Sequence, residues 1–151
     1  MTRVLVIDDD VDLIWDLAAV RPAGVELVTA ANTAAAAEAL RKQRIDAIVL
    51  DLRLPASLAT KDADEGLALL GGITGAFRGR IPVVVATDSD DPDLVMWCGR
   101  LGAERVLSKS CGLSAIIQAA VDLVQGNHAH AAGSRAGGRP AGARGGTHAA
   151  S

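Results

Sequence analysis

The sequence predicts an α/β fold: a five-stranded parallel sheet of order 2-1-3-4-5 with helices on both faces. Three observations lead there. Val4 to Ile7, Ala47 to Leu50 and Ile81 to Ala86 are short unbroken apolar runs rich in branched residues, the pattern of strands buried on both faces. These runs alternate with stretches whose apolar residues recur at helical spacing, the mark of repeated strand–helix units. Four of the strands end in polar residues suited to chemistry, as expected where the carboxyl ends of parallel strands form a ligand crevice. Right-handed crossovers then favour a flavodoxin-like layout with its switch point between strands 1 and 3.

Taken in order, Val4 to Ile7 is the first strand, and Asp8-Asp9-Asp10 follows it. Asp12 to Val20 reads as a short helix with Leu13, Leu17 and Val20 on one stripe. Val25 to Thr29 is the second strand, and Asn32 caps a helix from Thr33 to Lys42. The third strand is Ala47 to Asp51, stopped by Pro55. Residues 56–65 read as a polar loop, long for such a connection, before a glycine-weakened helix from Gly66 to Phe77. Ile81 to Ala86 is the fourth strand, leading into Thr87-Asp88. A helix from Pro92 to about Leu101 uses proline at its tolerated first turn, and Gly102 ends it. Arg105 to Ser108 is the fifth strand, ending at Lys109. The last helix, Gly112 to Gln125, carries a clear apolar stripe of Leu113, Ile116, Ile117, Ala120, Val121 and Val124. Residues 1–126 form the expected domain. Residues 127–151, rich in Gly, Ala, Arg and His, are expected to be a disordered tail.

Composition narrows the function classes. With two Trp, one Phe and no Tyr, the core has to be Ala, Val, Leu and Ile. All 18 acidic residues but only 12 of the 15 basic ones lie in residues 1–126, a net charge of −6, which argues against a nucleic-acid surface there. The three His all fall in the tail, excluding His triads and His-ligated metals from the domain. Cys98 and Cys111 lack metal-ligand spacing and read as small core residues. No apolar run reaches membrane-span length and no signal peptide is recognisable, so a cytoplasmic protein is expected.

Asp8 and Asp9, Asp51, Thr87 and Lys109 converge on one edge of the predicted sheet. Singly, each is more often a cap or an ordinary strand end; together they form a constellation. Three clustered carboxylates repel one another by about 4 kcal/mol per close pair near a protein surface. A divalent cation relieves that, and hard oxygen ligands in an open crevice suit Mg²⁺. Asp51, central in the cluster, is then a nucleophile for a phosphoryl group, with Lys109 and Thr87 available to its oxygens.

These residues, in the order Val-Ile-Asp8-Asp9-Asp10, Val-Leu-Asp51-Leu-Arg-Leu-Pro55, Val-Ala-Thr87, Gly102-Ala103 and Leu-Ser-Lys109, resemble the receiver domains of two-component response regulators over about residues 3–125. The resemblance implies that Asp51 is the phospho-acceptor. It implies that Asp8, Asp9 and Asp51 hold Mg²⁺ with help from the Arg53 carbonyl, that Thr87 is the switch hydroxyl and that Lys109 bridges the phosphate. The chain also departs from that family. Val106 stands where an aromatic residue is usual, so a Thr–aromatic rotamer switch cannot operate in its usual form. Asp88 replaces a small residue after the threonine, and Ser110 replaces the proline after the lysine. The loop after Pro55 is longer than usual, and the first helix looks shorter.

The expected function is a single-domain response regulator, not an enzyme, phosphorylated by a histidine kinase or phosphotransfer protein and acting on a downstream protein. No DNA-binding domain and no membrane partner are expected; homodimerisation is compatible with the sequence. A rival is an interaction or dimerisation module that works without phosphorylation, favoured by Asp88, Val106 and Ser110. A Mg²⁺-dependent phosphohydrolase with an Asp-x-Asp-x-Thr/Val nucleophile motif fits poorly, because the fourth residue after Asp8 is Asp12.

Overall fold

The computed structural model describes residues 1–8, 19, 21–52, 61–77 and 80–136. Five strands, β1 (Thr2–Ile7), β2 (Val25–Ala30), β3 (Ala47–Asp51), β4 (Val83–Thr87) and β5 (Arg105–Ser108), form one sheet of order β2-β1-β3-β4-β5. Every pairing is parallel. The described helices are α1 (Thr33–Lys42), α2 (Lys61–Phe77), α3 (Pro92–Arg100) and α4 (Leu113–Ala136), with a 3₁₀ turn at Lys109–Cys111. This is the α/β, flavodoxin-like architecture that the sequence predicts, with helices on both faces. The predicted helix Asp12 to Val20 falls outside the described residues, apart from Ala19.

Strand alternation divides the core into two layers. Leu5, Ile7, Ile48, Leu50, Val83 and Val85 pack on one face with Ala36 and Ala39 of α1, Leu70 and Ile73 of α2, and Leu94 and Cys98 of α3. Val4, Val6, Ala47, Val49, Val84 and Ala86 pack on the other with Ile116, Ile117, Ala120, Val121 and Val124 of α4. Full burial of each branched side chain contributes about 1.5–3 kcal/mol. That burial fixes the register, because a one-residue slip would exchange the layers. At the amino end of the sheet, charges are paired locally: the Arg3 N–H donates to Asp46 at 2.8 Å and the Arg3 guanidinium meets Glu26 at 3.1 Å. The carboxyl end is left for the site.

Several boundaries differ from the sequence reading. β1 starts two residues early because the Thr2 N–H donates to the Gly24 carbonyl. β4 starts at Val83 instead of Ile81: Pro82 has no N–H, although its carbonyl still accepts from Ile48. α2 runs from Lys61 and takes in the second half of the predicted polar loop; the first half, residues 56–60, lies outside the described residues. α4 runs on to Ala136, well past Gln125. Its apolar stripe of core residues ends near Val124. Residues 137–151 are outside the described set. Cys98 is core, as expected, but Cys111 is exposed, because it sits in the 3₁₀ turn off the α4 stripe. Among the described residues no helix is long and apolar enough to cross a membrane.

The α3–β5 turn is the tightest joint. Gly102 has φ of 108°, and a Cβ there would come within 2.7 Å of the Thr74 Cγ2. The Thr74 hydroxyl also donates to the Leu101 carbonyl, tying the end of α2 to this turn. Gly102→Ala should therefore cost about 2 kcal/mol from backbone strain and the clash. It should lower Tm by about 5 °C or more in a thermal melt; an unchanged Tm would mean that Thr74 moves aside freely. The cysteines give a second check. Burial pushes the Cys98 thiol up from its ordinary value, whereas Cys111 is exposed. An aromatic disulfide reagent should label one thiol rapidly in the native protein, and Cys111→Ser should abolish that phase. Rapid labelling of both thiols would contradict the packing.

Candidate functional site

The site follows from where the strands stop. β3 is buried up to Leu50 and ends on Asp51, and β1 ends at Ile7, just before Asp8. Because Ile7 pairs with Leu50, Asp8 and Asp51 follow side by side at the carboxyl edge. Two residues back along each strand, Val6 and Val49 face helix α4. Alternation carries that direction to Asp8 and Asp51. β5 ends at Ser108, and Lys109 opens the 3₁₀ turn beyond it. The Ser108 hydroxyl accepts from the Ser110 N–H at 3.1 Å and holds this turn where the resembled family has a proline. Gly112 closes it.

Asp8, Asp51, Asp88 and Lys109 line one cavity of about 260 Å³. Its other walls are Val6, Val49, Ala86, Leu113 and Ile116. The Lys109 ammonium forms an ion pair with the Asp51 carboxylate, whose side chain is only 4% exposed while that of Lys109 is 31% exposed. Asp8 is buried at 6% exposure. Burial alone would pull the Lys109 pKa down. The hydrogen bond and charge of Asp51, with the charges of Asp8 and Asp88, outweigh that and lift it above the ordinary lysine value. The lysine is therefore a firmly charged cation facing a carboxylate shielded from water.

The constellation expected from the sequence is only partly gathered here. Asp8, Asp51 and Lys109 come together. Asp9 and Arg53 lie outside the described residues. Thr87 is buried at 1% exposure, but it alternates away from the cavity with Val83 and Val85, and its hydroxyl oxygen accepts from the Ser89 N–H at 3.1 Å. Asp88, one residue on, takes the cavity side instead. Val106 is half-buried against the layer that contains Leu5 and Val85. The apolar walls were missed in the sequence, although their signal was there: alternate residues of β1, β3 and β4, and the first residues of the last helical stripe.

Two neighbouring buried carboxylates beside a cation fit a Mg²⁺ site in chemistry, since both are hard oxygen donors and a divalent ion would offset their burial. Among the described residues no group of three or more acidic, His or Cys side chains is placed to hold a metal. Asp8 and Asp51 would therefore be two of its ligands, and further donors would have to come from outside the described set.

The family model for the response regulator receiver domain matches residues 4–121. Solved structures of the same shape include a CheY-like response regulator receiver domain protein from Methanospirillum hungatei JF-1. It has a TM-score of 0.70 and 16% identity, over 86% of this chain and 98% of that one. The receiver domain of NtrX from Brucella abortus has a TM-score of 0.66 and 26% identity, over 81% and 98%. A response regulator receiver domain protein from Clostridium thermocellum has a TM-score of 0.68 and 19% identity, over 85% and 97%. Among curated proteins no match is found. The family match runs through the sheet and takes in both partners of the Asp51–Lys109 pair, and the chain belongs to the response regulator receiver domain family of two-component signalling.

Proposed function

We propose that this receiver domain accepts a phosphoryl group on Asp51 from a histidine kinase or phosphotransfer protein in the cytoplasm and passes the signal on through protein–protein contacts. The observation that carries this reading is the ion pair between Lys109 and the shielded Asp51 carboxylate on the wall of a cavity shared with Asp8. In the transfer, an Asp51 oxygen attacks phosphorus, and the bond from phosphorus to the donor breaks with its electron pair leaving on the donor. The Asp51 side chain is shielded from bulk water and faces the Lys109 ammonium, which leaves its carboxylate oxygens aimed into the cavity as the nucleophile. Lys109, a point charge on a flexible stem, exchanges the Asp51 carboxylate for the oxygens of the new acyl phosphate. Asp8, Asp9 and Asp51, with the Arg53 carbonyl, would hold Mg²⁺, which supplies positive charge to the phosphoryl oxygens. Thr87 is assigned as the hydroxyl that follows phosphorylation; reaching the site requires it to leave its contact with the Ser89 N–H.

The surface supports an output through contacts. Val95, Met96 and Trp97 on α3 are exposed at 42%, 43% and 50%, an unusual run of large apolar side chains facing water. A second reading, an interaction or dimerisation module that works without phosphorylation, draws on the same run and on the placement of Thr87 away from the cavity.

Incubation with acetyl phosphate and Mg²⁺ separates the two. The first reading expects an acid-stable, base-labile adduct in the wild type and none in Asp51→Asn. Lys109→Ala should remain folded, since the lysine is not core, yet lose any phosphorylation-dependent change in α3, read by Trp97 fluorescence. An adduct that survives Asp51→Asn would refute the acceptor assignment, and a normal fluorescence response in Lys109→Ala would refute the role given to the lysine. The metal assignment has its own check. Mg²⁺ titration should show weak binding that falls about tenfold or more for Asp8→Asn and for Asp51→Asn, since each removes one of few carboxylates; equal affinity in all three proteins would discard the acid pocket.

A further inference from the structure

Among the described residues no hydrogen bond or cap accounts for the Asp88 carboxylate. It does not cap α3: that role belongs to Asp91, whose carboxylate accepts from the Asp93 N–H at 3.0 Å. Strand alternation decides where it points. Val84 and Ala86 face α4, and residue 88 continues their side past the end of β4, so that Asp88 lines the cavity with Asp8, Asp51 and Lys109. Among the described residues it is not part of a cluster able to hold a metal. Its carboxylate adds negative charge to the cavity. Its charge is felt at Lys109, where it acts in the same sense as Asp51 and Asp8.

We propose that Asp88 is an electrostatic brake on phosphorylation: it stabilises Lys109 in the unmodified site and repels the phosphoryl group arriving on Asp51. This rests on the reading of Asp51 as the acceptor. A phosphorylated side chain carries a charge of about −1.5 to −2, so the modified site adds negative charge to a cavity that already holds Asp8 and Asp88. Asp88 is exposed, and water screens the repulsion without removing it. The consequence is a lower phosphorylated fraction at a given donor concentration, by roughly five- to tenfold for one partly screened charge pair.

The test uses the full chain with acetyl phosphate and Mg²⁺, reading the ratio of phosphorylated to unmodified protein at steady state on a phosphate-affinity gel. Asp88→Asn keeps the shape and removes the charge, Asp88→Ala removes both, and Asp51→Asn is added in each background to assign the label. The expected result is a rise of about five- to tenfold in the ratio for both Asp88 variants. That rise should shrink in molar salt, where the Debye length falls to about 3 Å. A rise in Asp88→Ala without one in Asp88→Asn would overturn the brake in favour of simple crowding. A ratio in Asp88→Asn equal to or below the wild type, with Asp51-dependent label intact, would overturn the brake and leave the acceptor reading standing. No Asp51-dependent label in any background would remove the acceptor reading, and the brake with it.

Discussion

The site depends on one constraint: a carboxylate stands at the end of a strand whose preceding four residues are buried. An ionised group in that position is costly unless a partner meets it. Here the partner is Lys109, delivered from the end of β5, two strands away in the sheet. The pair spans β4 and couples the edge strand to the centre. The 3₁₀ turn held by Ser108 and closed by Gly112 sets where the lysine begins. The α4 residues Leu113 and Ile116, just beyond that turn, wall the same cavity. Anything that moves the Asp51–Lys109 pair therefore acts on β5, the turn and α4 together.

The strands and their order were legible because buried parallel strands write themselves plainly. Ala47 to Asp51 and Arg105 to Ser108 are found as expected, and Asn32 caps α1 by accepting from the Ala35 N–H at 2.8 Å. The misjudged boundaries are those governed by propensity or by single backbone bonds instead of burial. Lys61 to Glu65 look like a loop because they are mostly polar and carry no stripe, yet they belong to α2. The continuation of α4 to Ala136 has no apolar face to announce it. Cys111 looks like core only if it is counted with the stripe that starts two residues later.

At the site, residue type was legible and side-chain direction was only partly so. Asp8, Asp51 and Lys109 could be gathered from strand ends alone. Thr87 and Asp88 could not be separated in that way, because both follow β4 and the choice between them is one of parity. Counting alternation from Val84 and Ala86 puts residue 88, not 87, on the α4 side. The same count was available in the sequence once the last helix had been assigned to that face, an assignment that requires tertiary packing.

The account stands most directly on which oxygen receives phosphorus. Acetyl-phosphate-treated protein can be reduced with borohydride, which converts an aspartyl phosphate to homoserine, then digested and sequenced by tandem mass spectrometry. The account predicts homoserine at position 51, with Asp8 and Asp88 unchanged. Homoserine at either of those positions, or at none of the carboxylates, would contradict it.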